Sequence, residues 1–466
     1  MLRAMRRALL GTFALAALAA CALGARWVWV GVHVGAGYAA KVTCSLAHLS
    51  RYERPLIDRY VAAEVAPLGP ALDVTVTPEG ARAEVLGLVR VEAKLRPELG
   101  CTLLLGEPDA LVALDRALPP RPRLDSARPW PEGEAPLAAP PPGGVARALE
   151  RAFVEPGPPR PLRQTQAVVV AQDGRLVAER YAPGVESGAP LLSWSMAKSV
   201  TMALVGTLVL EGRLDPRAPA PVPEWRGAGD PRGAITLDQL LRQSSGLAFD
   251  ETYGAVNDVS RMLFTRPDTG AFAAAFPLAA PPESVWSYSS GTSNIVARIV
   301  RDAFGGDLAA LVRHSRERLF DPAGMTSAFF EPDVSGTFIG SSFAFMTARD
   351  WARFGELFRR DGTWNGRRLL PEGWVRYAVT PTPQAPRGSY GAHWWLDAGE
   401  PGAPERRPWP LLPTETFAAR GHSGQWVVVV PSARLVVVRL GLTLPDLEDD
   451  GTQELVAELL AALSEG

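Results

Sequence analysis

The stretch SMAKSVTMALVGTLVLEG, residues 195–212, constrains the fold most. It has helical length and is apolar almost all round, so it must be covered on every side rather than along one stripe. Gly212 supplies a natural C-terminal stop. A helix of this kind needs layers of structure around it, and the flanking sequence provides them. AVVVAQDGRLVAERYA (167–182) places two apolar runs about Asp173-Gly174, a strong hairpin signal. WVVVVPSARLVVVRLG (426–441) reads as a second hairpin, and GAHWWLDA (391–398) as a strand before it. Neither hairpin makes a stable sheet alone. The economical solution joins them into one antiparallel sheet with helices on its faces. The stretch from about 220 to 360 is mostly helical and forms a lobe beside that sheet. QELVAELLAALSE (453–465) closes the chain as an amphipathic helix. The expected fold class is α/β in the α+β sense, with the buried helix at a seam where clefts form.

The region before this body is organised differently. Between 119 and 142 there are nine prolines in 24 residues, which predicts an extended, exposed linker over 119–144. It separates a small N-terminal domain, 26–118, from the main domain, 145–466. Within the small domain RYERPLIDRYVAAEV (51–65) reads as helix and 71–95 as alternating strands. No nucleophile–base spacing is visible there.

The first 25 residues read as a targeting segment. MLRAMRR is basic, and residues 8–25 then carry no charge over eighteen positions. That length is at the lower limit for a membrane-spanning helix, about 18 residues. A retained anchor with its basic end in the cytoplasm competes with a cleaved signal. LAAC at 18–21 is similar to a bacterial lipoprotein cleavage box, with Cys21 as the lipidated residue. Each reading places the body on the periplasmic side of a bacterial cell envelope, attached to the membrane through the N-terminus. In such an oxidising compartment the remaining two cysteines, Cys44 and Cys101, are candidates for a disulfide.

Composition enters through one residue type. Of 48 basic residues only Lys41, Lys94 and Lys198 are lysine, so Lys198 is the only lysine of the main domain. It stands three residues after Ser195, on the same helix face. A serine hydroxyl is a poor nucleophile without an adjacent base. Arginine cannot deprotonate to serve as one, whereas a buried lysine can. S-x-x-K alone recurs by chance; the scarcity of lysine and the apolar helix give it weight. WSYSSGTSN (286–294) offers Tyr288 as a further proton carrier, although a tyrosine there also fits a packed core. FAARGHSGQWVVVV (417–430) offers His422, Ser423 and Gly424 at the start of a strand as substrate-binding candidates. The backbone N–H groups of Gln425 and Ser195 would make a two-donor oxyanion hole. Five tryptophans, Trp194, Trp286, Trp394, Trp395 and Trp426, flank these motifs. They read first as core, with one or two lining the cleft.

The formal net charge of −2 and the lack of a basic stripe argue against nucleic-acid binding. Five scattered histidines and three cysteines form no metal-ligand pattern, and no cofactor is implied. No G-x-S-x-G elbow occurs. The sequence does not set the oligomeric state.

S-M-A-K, Y-S-S and H-S-G, in this order, resemble the motifs of the β-lactamase-related serine hydrolases. That group includes D-alanyl-D-alanine peptidases, class C β-lactamases, esterases and 6-aminohexanoate-dimer hydrolases. The resemblance covers about 145–466 and is nearest to the last branch, also through ITLDQLLRQSSGL (235–247) and 347–374. It implies Ser195 as acylated nucleophile, Lys198 and Tyr288 as the proton-transfer pair, and the Ser195 and Gln425 amides as oxyanion donors. Two departures bear on substrate. Y-S-S replaces Y-x-N, and H-S-G replaces K-T-G, whose lysine helps hold a carboxylate. His422, with an ordinary pKa of about 6.5, is expected to be mostly neutral at pH 7. The expected activity is hydrolysis of a small ester or amide through an acyl-enzyme. A penicillin-recognising enzyme or a silent binding protein are the rivals.

Overall fold

The computed structural model describes residues 2–106, 118, 120–158, 162–252, 256–445 and 449–464, and for 2–23 the helical backbone alone. Its centre is a six-stranded antiparallel sheet. The strand order is Trp395–Leu396, Phe417–Gly421, Gln425–Val430, Leu435–Gly441, Thr165–Gln172 and Arg175–Tyr181. The two hairpins expected from sequence are therefore joined, through antiparallel pairing of Leu435–Gly441 with Thr165–Gln172. Asp173 and Gly174 both have positive φ (52° and 74°), the turn geometry that matches strand twist.

The valine-rich strands Gln425–Val430 and Leu435–Gly441 are buried at every position. Runs of this kind need cover on both faces. Val427, Val429, Val436 and Val438 pack towards the helices Ala348–Arg359 and Met196–Leu210. Val428, Val430, Leu435 and Val437 pack towards Gly143–Ala152 and Thr452–Ser464. The strand expected over 391–398 is cut to Trp395–Leu396. His393 has φ 56° and the Gly391 N–H donates to the Trp394 carbonyl, so the chain turns there instead of extending.

The helical lobe carries Leu237–Leu241, Asp258–Thr265, Thr269–Ala274, Ser290–Asp302 and Leu308–Ser315. Each begins at a side chain that accepts from the first turn: Thr236, Asn257, Asp268, Ser289 and Asp307. Such caps are worth about 1 kcal/mol each. The helix Met196–Leu210 lies between lobe and sheet and is buried from Met196 through Leu208.

Before the body stand a helix Leu2–His48, a helix Arg54–Glu64 and a four-stranded antiparallel meander, Leu72–Thr77, Gly80–Val85, Val89–Arg96 and Gly100–Leu103. Cys44 and Cys101 are disulfide-bonded and tie the first helix to the last strand of the meander. Beside them a buried ion pair, Lys41–Glu331 at 2.6 Å, joins the first helix to the body. Ser45 Oγ and the Cys101 N–H also donate to Glu331, at 2.9 and 2.5 Å. Removing one partner of a buried pair costs about 3–5 kcal/mol, so this junction is a firm one. Side chains of Leu2–His48, Arg54–Glu64 and the body share one continuous core.

The proline-rich segment is neither extended nor exposed throughout: 125–133 is a run of turns closed by a bridge between Asp125 and Gly133. Trp130 is buried, and the Pro131 and Gly133 carbonyls accept from Arg353 at 2.9 and 2.7 Å. Glu134 pairs with Arg349 and Arg353. Proline removes N–H donors but leaves carbonyls that need partners. The helix Ala348–Arg359 supplies them, and 125–135 becomes a docked strap.

Cys21 and most of the apolar segment 8–25 lie where side chains are outside the described residues. Among the described residues, no helix is long and apolar enough to cross a membrane.

Candidate active site

Ser195 stands at the start of the helix Met196–Leu210 with helical backbone angles of its own (φ −66°, ψ −5°), and its side chain makes no capping bond. The residue before it, Trp194, has φ 43°, a left-handed conformation that is costly for a bulky side chain, about 1–3 kcal/mol. Its surroundings hold it there. The indole Nε1 donates to Tyr60 Oη at 3.1 Å, and the ring packs against Tyr38, Phe343 and His422. Tyr38 and Tyr60 belong to the N-terminal helices, in which sequence reasoning found no catalytic chemistry.

Lys198 is 1% exposed. Its Nζ donates to Ser195 Oγ at 3.0 Å, Ser290 Oγ at 3.0 Å and the Ser341 carbonyl at 3.1 Å. Asn294 fixes the position of Ser341 through its N–H (3.2 Å) and its Oγ (3.2 Å). Burial pulls the Lys198 pKa down to about 8, and the Glu251 carboxylate offsets only part of that. Ser290, the last residue of Y-S-S, donates to Glu251 through Oγ (2.6 Å) and N–H (2.9 Å). Ser290 and Glu251 thus link to the lysine, and sequence reasoning missed both. The Ser290 signal was present as the second serine after Tyr288. Glu251 had none.

Tyr288 is half-buried and its hydroxyl is hydrogen-bonded to Ser195. Burial raises its pKa well above the usual value, more than the Ser195 bond lowers it. The Lys198 ammonium lies 4.7 Å from the Tyr288 ring centroid. Trp395, Trp286 and Tyr390 form the aromatic wall behind it. Trp395 lines the cleft, whereas Trp394 and Trp426 are core.

His422, Ser423 and Gly424 form the turn between Phe417–Gly421 and Gln425–Val430, not the start of a strand. Each of the three is held from behind. His422 Nε2 is 2.7 Å from Glu64 Oε1. Ser423 Oγ is 2.8 Å from Tyr60 Oη. The Gly424 carbonyl accepts from Arg439 at 2.6 Å. His422 is not an unperturbed imidazole. Burial lowers its pKa, but the Glu64 carboxylate outweighs that and raises it from the ordinary value. Close approach demands glycine at two places here: a Cβ on Gly424, which has φ 77°, would sit 1.8 Å from Arg439 Nη1. A Cβ on Gly421 would sit 2.2 Å from the Ser193 carbonyl and 3.0 Å from the Ser195 nitrogen. Gly421 is thus what lets the strand cross the start of the Ser195 helix. Gln425 pairs with Gly421 in the ladder and is buried, its side chain bridging the Ser423 and Gly441 carbonyls.

A cleft of about 730 Å³ opens over this group, lined by Ser195, Tyr288, Trp395, Phe249, Arg420 and His422 among others. That size suits a small organic substrate. Among the described residues no three His, Cys, Asp or Glu side chains are grouped to hold a metal ion. The arrangement can do acyl-transfer chemistry. It has a hydroxyl, an amine able to lose its proton near neutrality, and a protonated phenol, all in contact.

The chain is similar to known proteins in sequence and in fold. The chain is 28% identical over 263 residues to the 6-aminohexanoate-dimer hydrolase of Paenarthrobacter ureafaciens, an alignment spanning 51% of this chain and 66% of that relative, just under two thirds. Among solved structures, a penicillin-binding protein homologue from Caulobacter crescentus superposes with a TM-score of 0.52 at 19% identity, covering 70% of this chain and 100% of that one. A family VIII carboxylesterase gives a TM-score of 0.51 at 16% identity, covering 70% of this chain and 98% of that one. These two likenesses show the fold. A family model described as Beta-lactamase matches residues 147–462, more than half the sequence, and the chain belongs to that family.

Proposed function

We propose that this protein is a serine hydrolase that cleaves a small ester or amide through an acyl-enzyme on Ser195. The observation that carries the reading is the 3.0 Å contact of Lys198 Nζ with Ser195 Oγ, made by a lysine whose pKa burial has lowered to about 8. The neutral amine of Lys198 takes the hydroxyl proton as Oγ attacks the carbonyl carbon. The N–H groups of Ser195 and Gln425 hold the oxyanion. Tyr288, kept protonated by burial, gives its proton to the leaving group and regains one from Lys198. Water then attacks the acyl-enzyme by the same relay in reverse. A tyrosine held this high in pKa serves as donor and relay, which leaves Lys198 as the base.

The fold is shared with penicillin-binding relatives, which keeps a β-lactam-directed reading in view. Two observations favour the ester or amide reading over it. The position of the K-T-G lysine holds His422, already engaged by Glu64. The position of the Y-x-N amide holds Ser290, engaged by Lys198 and Glu251. The Cys44–Cys101 disulfide supports an oxidising compartment. With the basic, then apolar, N-terminus it supports a periplasmic enzyme held at the membrane by that segment or by lipid on Cys21.

Intact-mass analysis of the protein and of Ser195→Ala tests the chemistry. Each is exposed to a small activated ester and, separately, to penicillin. An ester adduct or turnover lost in the variant, with penicillin inert, is the expected result. A stable penicilloyl adduct on Ser195 would transfer the assignment to the cell-wall enzymes. No adduct with either reagent would leave a binding protein.

A further inference from the structure

A second cavity, of about 580 Å³, meets the cleft at Ser195. The two share Ser195, Glu251, His422 and Pro445 in their walls. The second one lies between the N-terminal helices and the helical lobe. Its walls are largely aliphatic and aromatic, with Gly31, Gly35 and Leu68 on one side and Val259, Leu263 and Phe264 on the other. Of its polar members near Ser195, Glu64 is engaged with His422 and Ser290 with Glu251 and Lys198, while the buried Tyr38 hydroxyl is the one that has no hydrogen-bond partner among them. Asn257 and Ser260 bond each other in the cap of Asp258–Thr265. The outer end is lined by Trp27 and Val28, which are 59% and 61% exposed.

The walls suit an alkyl chain, which asks for no hydrogen bonds. A peptide in the same space would leave its N–H and C=O groups without partners, at a cost of kilocalories each. The two cavities can also be told apart by chemistry. Tyr288 lines the cleft and not this chamber. A leaving group must sit beside its proton donor, so it belongs in the cleft. The acyl group, which stays on Ser195, then has the chamber.

We propose that the chamber built by the N-terminal helices against the lobe is an acyl-chain pocket, and that the substrates are esters or amides of medium to long aliphatic acids. This rests on the serine-hydrolase reading above. The N-terminal region thereby sets acyl specificity.

The test compares 4-nitrophenyl acetate with 4-nitrophenyl decanoate on the full chain, by kcat/KM and by intact mass. The leaving group is the same, so the ratio reports the acyl side alone. Each buried methylene is worth about fourfold (about 0.8 kcal/mol), and a decanoate advantage of at least tenfold is expected. Gly31→Leu should pull that ratio towards one. A Cβ at Gly31 meets only the Val256 side chain, at 3.3 Å, so the added side chain projects into the chamber. Circular dichroism and the melting temperature check that the variant is folded. Where it is not, the wild-type ratio decides alone. A ratio at or below one, with acetate still acylating Ser195, overturns the pocket and leaves the hydrolase reading standing. So does a folded Gly31→Leu with the wild-type ratio. Failure of both esters to acylate Ser195 overturns the hydrolase reading and the pocket with it. Monodecanoylglycerol in phosphatidylcholine vesicles, run beside the dissolved ester, separates a membrane source of acyl chains from a soluble one. With the decanoate advantage in hand, turnover from either source supports the pocket.

Discussion

Tyr60 and Trp194 are joined by a 3.1 Å hydrogen bond from the indole to the phenol, one residue before Ser195. The same phenol oxygen lies 2.8 Å from Ser423 Oγ. One side chain of an N-terminal helix therefore braces both edges of the Ser195 neighbourhood. Tyr60→Phe leaves the Trp194 indole N–H without its partner, at about 1–3 kcal/mol if it stays buried. We expect a melting-temperature loss of a few degrees and about a tenfold fall in kcat on a small ester, with KM changed less.

Lys198→Ala should abolish acylation by about 10²–10⁴-fold, and Lys198→Arg should not rescue it, since arginine keeps its proton. In the wild type kcat/KM should rise with pH and level off above about 8, where Lys198 is neutral. Stability has its own sign. The unfolded lysine titrates near ~10.4, so between about 8 and ~10.4 the unfolded chain binds more protons. Folding is penalised below pH 8, and the penalty fades as pH rises through that window. Stopped-flow acylation and melting curves against pH, compared with Lys198→Met, check both.

His422 behaves oppositely. Its folded pKa lies above 6.5 because Glu64 faces it. The contribution of this pair is full below the unfolded pKa of about 6.5 and is lost as pH rises through the higher folded value. Glu64→Gln should bring the His422 titration, followed by NMR, down towards or below the ordinary value. An unchanged midpoint would show that Glu64 is not the cause.

The Cys44–Cys101 bridge closes a separation of 57 residues. Chain-entropy reasoning gives about 4 kcal/mol for a loop of that length. We expect Cys44→Ser with Cys101→Ser to lose about 2–4 kcal/mol in denaturant unfolding.

What the sequence disclosed follows the range of its signals. Ser195 and Lys198 are three residues apart on one helix, and helix geometry alone brings them together. The hairpins at 165–181 and 425–441 announce themselves by turn residues and apolar runs, and their joining follows from the need to pair edges. Glu64 meets His422 across 358 residues, and Tyr60 meets Ser423 across 363. No periodicity or spacing encodes such pairs. Composition misled at 125–135, where prolines suggested exposure while Arg353 on the body was waiting for carbonyls. Gly421 carried no sequence signal, because the crossing it permits, with Ser193 and Ser195, becomes visible only once the strand lies across the helix.

The brace from Tyr60 and Glu64 has a consequence for how this protein can be inherited and recombined. A fragment cut at residue 144 would carry every motif of its family and still lack the partners of Trp194, His422 and Ser423. The leading helices are not a detachable cassette. A chimaera that grafts this hydrolase body behind a relative's leader has to bring the helix Arg54–Glu64 with it, and substitutions at 60 and 64 have to evolve in step with the H-S-G turn.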